Sequence, residues 1–176
     1  MDFMQLIKER YSLRQISERP IEQDKLDLIL EAGRLAPTAS NRQCQRVLVI
    51  NSDEAIAKLQ ECTIYHFNAK TVLLVCFDYE ISKHNRNPLG TEENGPVDAS
   101  IVATHMMLEA AELGIGSTWV GYFDTERLRT NFQIPLNYRL VCLLPLGYPA
   151  DQAKPSPMHS NRFPVEKTVC FNKFPD

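Results

Sequence analysis

The sequence lacks long hydrophobic runs, an excess of basic residues and paired cysteines. No stretch approaches the roughly 20 apolar residues of a membrane-spanning helix, and the first residues lack the basic and apolar regions of a secretory signal. Lys and Arg number 19 against 22 Asp and Glu, giving a net charge of −3, so no basic surface is available for a nucleic-acid backbone. The five cysteines form no CxxC pair, which favours reduced thiols and a cytoplasmic location. We therefore expect neither a nucleic-acid partner nor a membrane partner.

The composition is that of a single folded domain covering residues 1–176. Hydrophobic residues make up 44% and charged residues 23% of the chain, which are ordinary values for a globular protein. The spacing of the apolar residues predicts helices that begin near residues 2, 22, 53, 98 and 124, and strands at 46–50, 71–77, 117–122 and 139–146. Because these elements do not alternate strictly, the pattern favours the α+β class.

Two segments do not fit the regular pattern. The segment Asp78–Val97 is polar and has no period over about twenty residues, which is typical of a lid or binding loop. The tail from Ala150 contains several prolines, among them Pro155, Pro157 and Pro164, and one apolar run, Val169–Phe171. Because that run needs a surface to pack on, we expect the tail to pair with a sheet edge across a dimer interface.

Two arginines and a serine are concentrated in the segment Arg10-Tyr11-Ser12-Leu13-Arg14, directly after the first predicted helix. Arginine presents a planar fork of donors that fits phosphate oxygens, and serine adds a small donor. In an extended segment Arg10, Ser12 and Arg14 lie on one side, where they can bind a single phosphate. The alternative is a solvated basic turn, since short basic clusters are common on protein surfaces.

Four motifs, in order along nearly the whole chain, carry a resemblance to a known family. They are Arg10–Arg14, LEAGRLAPTASNRQ at 30–43, EAAELGIGS at 109–117 and LGYP at 146–149. With these motifs the sequence resembles the nitroreductase-like family of FMN-dependent oxidoreductases. The resemblance implies a central mixed, mostly antiparallel sheet flanked by helices, and a homodimer whose C-terminal tails, residues 150–176, are exchanged between subunits. The sequence departs from the family at Cys44, where family members commonly have proline.

The resemblance also implies an FMN site between the two subunits. In such proteins the FMN phosphate and ribityl chain are held by a cluster and a late basic residue that match Arg10, Tyr11, Ser12, Arg14 and Arg162. The flavin is lined by a small polar segment of the partner subunit that matches Pro37, Thr38, Ala39, Ser40, Asn41 and Gln43. Asn68 matches a residue that binds the pyrimidine edge of the flavin, and Lys70 matches a nearby lysine at a slightly different spacing. Val120 and Gly121 match the segment whose backbone N–H faces flavin N5.

Several of these residues also have a purely structural interpretation. Asn41 and Asn68 are ordinary turn residues, and Gly121 could mark a bulge. Arg162 lies in a polar tail, where a solvated charge is common. The sequence leaves these alternatives open beside the binding roles.

The implied activity is that of an FMN-dependent oxidoreductase. Hydride passes from NADH or NADPH through flavin N5 to a nitroaromatic, a quinone or a similar small-molecule acceptor. Because the flavin carries the redox chemistry, we expect no catalytic side chain and no metal, and the four histidines show no metal-binding spacing. Two alternatives stay open. One is different flavin chemistry on the same fold, such as dehalogenation, desaturation or flavin fragmentation, and the other is a flavin-binding module without enzymatic activity.

Overall fold

A four-stranded antiparallel sheet forms the centre of the molecule. The computed structural model describes residues 2–83 and 94–175. The strands lie in the order β1-β2-β4-β3, with bounds β1 Gln45–Ile50, β2 Thr71–Asp78, β3 Gly116–Ser117 and β4 Tyr138–Gly147. Every residue of β2 is buried, as the continuous apolar run predicts for a central strand.

Helices cover both faces of the sheet. The helices of the described residues are α1 Phe3–Glu9, α2 Gln23–Arg34, α3 Asp53–Gln60, α4 Tyr79–Ser82, α5 Asn94–Glu112 and α6 Thr125–Phe132. Alternate residues of β2 point to opposite faces: Leu73 and Val75 share a core with α2 and α5, while Val72 and Leu74 share a second core with α3 and α6. The predicted α+β fold, with a sheet flanked by helices, is therefore confirmed.

Polar caps fix where three helices begin, as the sequence predicts. The side chains of Asp2, Ser52 and Asp124 accept hydrogen bonds from backbone N–H groups in the first turns of α1, α3 and α6. Each bond satisfies a donor that has no partner within the helix itself.

Helix α5 begins at Asn94, so the predicted start at Asp98 is wrong by four residues. Pro96 is compatible with the first turn, because the N–H that proline lacks has no acceptor there. At the other end of the Asp78–Val97 segment, where a loop is expected, the structure has helix α4. Residues 84–93 of that predicted lid lie outside the described residues.

The predicted strand at 117–122 is regular only at its start. Strand β3 ends at Ser117, although Val120 still exchanges both backbone hydrogen bonds with Leu143 of β4 in the same register. Between these pairs the N–H of Thr118 donates to Pro145, 3.3 Å away, but proline has no N–H to return the bond. The ladder is interrupted at that point for this reason.

The C-terminal tail lies on the surface of its own chain. All of residues 160–175 are exposed, including the apolar side chains Phe163, Val165, Val169, Phe171 and Phe174. The exchange of the tail between subunits stays a prediction. Among residues 2–83 and 94–175, no helix is both long and apolar enough to cross a bilayer.

Candidate functional site

The arginine-rich segment runs extended along β3. Arg10 ends α1, and the N–H of Leu13 then donates to the Ser117 carbonyl at 3.0 Å, while the Thr118 hydroxyl donates to the Leu13 carbonyl at 2.5 Å. Leu13 is buried and Arg14 is exposed. Because neighbouring side chains of an extended segment point in opposite directions, the side that carries Ser12 and Arg14 faces away from the core.

Two paired glycines leave room for this segment. Gly116 and Gly147 lie opposite each other on β3 and β4. A Cβ on Gly116 would lie 2.3 Å from Leu13 Cδ2, and a Cβ on Gly147 would lie 2.3 Å from Ile16 Cγ2. Both distances are too short for any side chain, so the segment can pack on the sheet only where these two strands carry glycine.

A polar network fixes the chain after the arginine segment. The Tyr148 hydroxyl donates to Glu22 Oε2 at 2.5 Å and accepts a bond from Lys25 Nζ at 2.6 Å. The Arg19 guanidinium stacks 3.9 Å above the Tyr148 ring and binds the other oxygen of Glu22 at 2.6 Å. The hydroxyl of Tyr148, followed by Arg19, lowers the pKa of Glu22 to about 2. The network therefore ties the start of α2 to the end of β4.

The start of the tail packs beside the arginine segment within one chain. His159 Nε2 lies 3.0 Å from the Lys8 carbonyl, and its ring meets the Tyr11 ring edge-on with centroids 6.2 Å apart. Arg162 follows three residues later, and among the described residues its guanidinium bonds only to the backbone carbonyls of Met158 and Asn161. The structure thus brings the turn that carries Arg162 to the segment that carries Arg10.

Six arginines of the described residues have no carboxylate within ion-pair distance: Arg10, Arg14, Arg42, Arg129, Arg139 and Arg162. By contrast Arg19, Arg34, Arg46 and Arg127 are each paired with an acid. Arg129 donates to the carbonyls of Pro135 and Tyr138, and the Arg139 guanidinium lies 5.2 Å from the centre of the Tyr79 ring. Unpaired guanidinium groups keep their donor forks available for phosphate oxygens. Three of the six lie at predicted FMN-binding positions, and Arg42 lies within the predicted flavin-lining segment.

The predicted flavin-lining segment, Thr38–Gln43, has an unusual backbone. Ser40, Asn41 and Gln43 have φ angles of 50°, 53° and 51°, a left-handed conformation that side chains disfavour. The Gln43 N–H donates to Thr38 Oγ1 at 3.0 Å, which closes the segment on itself. Pro37, directly before it, is exposed. Strained backbone of this kind concentrates at functional sites.

A buried carboxylate on α5 holds both ends of this segment. Asp98 is only 3% exposed, and it accepts bonds from the Ala39 N–H at 3.0 Å and from the Cys44 thiol at 3.7 Å. Burial, together with the nearby Asp98 charge, raises the pKa of Cys44 to about 11. The thiol is therefore protonated near neutral pH and acts as the donor.

The Thr38–Gln43 segment and the arginine segment lie at different ends of α5 in one chain. The first is held at Asp98, whereas Arg10 and Tyr11 share a cavity with Ala111, near the C-terminal end of the helix. Ala111 follows Asp98 by thirteen positions, which corresponds to about 20 Å of α-helix. A single chain does not bring these two predicted parts of the site together.

The predicted pyrimidine-edge residues lie on the turn before β2. Asn68 is exposed and left-handed, with φ 56°, and its N–H donates to His66 Nδ1 at 3.1 Å. Lys70 Nζ lies 3.3 Å from Glu18 Oε2, so its charge is already partly satisfied. This ion pair brings the Asn68 turn close to the chain that follows Arg14.

An aromatic cluster, formed by the exposed rings of Tyr65 and Tyr122 and the half-buried ring of Phe67, lies next to these residues. The Tyr65 ring meets the Tyr122 ring edge-on at 5.6 Å and lies 6.1 Å from the Phe67 ring. The Thr63 hydroxyl donates to the Tyr122 carbonyl at 2.7 Å, which joins the two segments. A Cβ added to Gly121, directly before Tyr122, would meet no atom within 4 Å. The backbone at Gly121 is therefore open to a flat group.

Some functional features could not be read from the sequence pattern. Gly116 and Gly147 resemble ordinary helix-end and turn glycines, and His159 stands in an irregular tail. The sequence pattern identifies Asp98 only as the first residue of a helix, although an acid followed by a long apolar stretch is itself a signal of a buried carboxylate. Among the described residues no group of three or more His, Cys, Asp or Glu side chains could hold a metal ion.

Comparison with known proteins gives a consistent family relationship. The sequence profile of the nitroreductase family matches residues 7–72 and 64–148 of the chain. A relative from Archaeoglobus fulgidus, whose name includes NAD(P)H nitroreductase, is 31% identical over 156 residues, covering 85% of this chain and 86% of that protein.

Solved structures agree with this relationship. A nitroreductase family protein from Clostridium difficile 630 is 35% identical, with a TM-score of 0.91, and the match covers 99% of this chain and 100% of that one. An FMN-dependent nitroreductase from Clostridium difficile R20291 is 28% identical, with a TM-score of 0.78 and coverage of 98% and 100%.

Proposed function

Since the chain belongs to the nitroreductase family, we propose that it is an FMN-dependent NAD(P)H oxidoreductase. Its acceptor is a nitroaromatic, a quinone or a similar planar small molecule. Bound FMN supplies the redox chemistry, taking up hydride from the nicotinamide and passing it on to the acceptor. The relative from Archaeoglobus fulgidus and the FMN-dependent nitroreductase support the reductant and the cofactor, respectively.

The observation that carries the proposal is the set of unpaired arginines. Arg10, Arg14 and Arg162 have no carboxylate partner among the described residues, and the His159–Tyr11 contact brings their segments together. A phosphate monoester carries about two negative charges near neutral pH, and several guanidinium groups match that charge. The donor set therefore fits the FMN phosphate.

The residues around the flavin ring would position it and exclude water. The open backbone at Gly121 allows the ring to approach closely, whereas the N–H of Val120 already donates to the Leu143 carbonyl at 2.9 Å. Asn68 offers an exposed amide to the pyrimidine edge. Lys70 adds a cation there, and its exposed ion pair with Glu18 is weak enough to rearrange. The aromatic cluster beside them supplies a flat apolar surface for a planar acceptor.

We infer that the complete site needs two copies of the chain. A groove of about 520 Å³ runs along the outer face of α5 and is lined mainly by apolar residues such as Val97, Ile101 and Leu108. If two copies pack these faces in opposite directions about a twofold axis, the Asp98 end of one helix lies beside the Ala111 end of the other. The Thr38–Gln43 segment of one subunit then reaches the arginine segment of its partner. The exposed apolar side chains of the tail, which lie between residues 160 and 175, supply further surface for this interface.

An absorption spectrum of the purified protein tests the proposed activity. We expect a yellow protein with oxidised flavin bands, and we expect those bands to bleach when NADH or NADPH is added without oxygen. A colourless protein that does not bind added FMN would contradict the proposal. If neither NADH nor NADPH reduces the bound flavin, the result would favour a different flavin chemistry on this fold.

A further inference from the structure

Asp98 is a buried carboxylate that the proposed redox chemistry does not use. It is 3% exposed, and no Lys, Arg or His of the described residues lies within ion-pair distance of it. Burying an unpaired charge is costly unless hydrogen bonds satisfy it. The bonds that satisfy Asp98 come from Ala39 and Cys44, 59 and 54 residues away along the chain.

These two donors stand at the two ends of the left-handed segment. Asp98 Oδ1 binds the Ala39 N–H, and Asp98 Oδ2 faces the Cys44 thiol. Cys44 is also fixed from outside, because its carbonyl accepts a bond of 2.8 Å from the Asp78 N–H at the end of β2. The three left-handed residues between the donors cannot relax without breaking one of these bonds.

We propose that Asp98 is a positioning residue that holds the Thr38–Gln43 segment in its flavin-binding shape, with the Cys44 thiol as its second anchor. The inference rests on the proposed function for its ligand, but the two hydrogen bonds that fix the segment exist in the protein without a ligand. A proline at position 44 would lack the thiol that donates to Asp98. This chain therefore fixes the end of the loop by a hydrogen bond, at a position where the rigid proline ring is common in the family.

Replacement of the two anchors tests the inference in the full chain. We expect Asp98→Ala and Cys44→Ala each to raise the dissociation constant of FMN about tenfold, the effect of losing a hydrogen bond to a charged group. Cys44→Ser should stay within about threefold of the wild type, because its hydroxyl can donate to Asp98. Titration of FMN fluorescence against the flavin-free protein measures all three.

Cys142→Ala is the matched control for loss of a buried thiol. Cys142 is fully buried on β4, and no hydrogen bond of its thiol is found among the described residues. This variant should lower stability but leave the dissociation constant of FMN unchanged. If it weakens FMN binding as much as Cys44→Ala does, general loosening of the core explains both results and the inference is overturned.

Hydrogen exchange of the Ala39 amide provides a readout without flavin. In the flavin-free protein Asp98→Ala, which removes the acceptor of the Ala39 N–H, should speed this exchange about tenfold, whereas Cys142→Ala should not change it. An unchanged Ala39 exchange rate in Asp98→Ala overturns the inference. If the wild type fails to bind FMN, the proposed function fails, and the Ala39 exchange rate alone decides whether Asp98 holds the segment.

Discussion

Individual charges distinguish the candidate site from the rest of the surface. Arg34, for example, binds Glu31 through two nitrogens at 2.6 Å, whereas Arg10 has no side-chain bond to any described residue and Arg14 has only a long one to the Ser12 carbonyl. An arginine left without an acid keeps its full capacity to bind an anion. Arg129 and Arg139 also have no carboxylate partner among the described residues, so the candidate site is marked by unpaired arginines that lie on segments in contact with each other.

Removing these arginines should weaken cofactor binding. We expect Arg10→Ala and Arg14→Ala each to reduce the binding free energy of FMN by about 1.5–3 kcal/mol, the range for bonds to charged groups. Fluorescence titration of the flavin-free protein measures the change. Arg34→Ala, which removes an exposed arginine held in an ion pair, should leave FMN binding within about 0.5 kcal/mol of wild type. Unchanged affinity in both site variants would remove Arg10 and Arg14 from the site.

Glu22 gives the molecule a pH-dependent contact. The pKa of Glu22 is about 2, below its ordinary value of 4.5, because the Tyr148 hydroxyl and Arg19 stabilise the carboxylate. A lowered pKa in the folded state stabilises the protein above the ordinary pKa, and this stabilisation is lost as the pH falls towards the lower value. Thermal unfolding should therefore show a loss of stability between pH 4.5 and about 2 that is smaller in Glu22→Gln. Identical pH profiles for the two proteins would show that the contact is not stabilising.

At the scale of elements, the arginine segment packs on β3 and β4 at two positions that carry glycine, Gly116 and Gly147. Gly116→Ala should destabilise the protein by about 1–3 kcal/mol through overpacking against Leu13, and urea unfolding measures this. Gly121→Ala is the matched control, since its Cβ meets no atom within 4 Å, and its stability should stay within about 0.5 kcal/mol of wild type. If Gly116→Ala unfolds like the wild type, the segment is not seated on β3 as the structure indicates.

Local sequence signals predicted most of the elements. The capping residues Asp2, Ser52 and Asp124 gave the helix starts correctly, and the apolar run of β2 gave the central strand. The start of α5 was missed because Gly95 and Pro96 normally mark loops. Periodicity cannot show that a proline is tolerated in a first turn, or that Pro145 interrupts a ladder.

The site was predictable only where a motif is continuous in the sequence. Arg10–Arg14 and Thr38–Gln43 could be recognised as segments, but the contacts that fix them are distant along the chain. The Thr118 hydroxyl reaches Leu13 across 105 residues, and the Cys44 thiol reaches Asp98 across 54. Such pairs follow from the fold, so they become visible only once the strands and α5 are placed.

At the scale of the whole molecule, the C-terminal tail carries apolar side chains that its own chain leaves exposed. Phe171 is 85% exposed, and its apolar neighbours are also uncovered. Exposed apolar patches of this kind mark interaction surfaces. The proposed twofold assembly gives the tail a partner and joins the two halves of the site.

Truncation after Pro157 should impair dimer formation and FMN binding together. Analytical ultracentrifugation measures the first and fluorescence titration the second. Arg162→Ala is the control, because it retains the tail and its apolar surface but removes one cation, so it should remain dimeric while binding FMN less tightly. A truncated chain that is still fully dimeric would show that the tail contributes nothing to assembly.

The seating of the N-terminal segment on the last strand has a consequence for how the protein is made. Leu13 bonds to Ser117, Ser17 bonds to Tyr148, and Gln15 accepts from Ala150, so the segment packs on residues synthesised more than a hundred positions later. Until residues 117–150 have been synthesised, the arginine segment lacks these contacts. A nascent chain that stops before residue 150 therefore cannot form the proposed phosphate site.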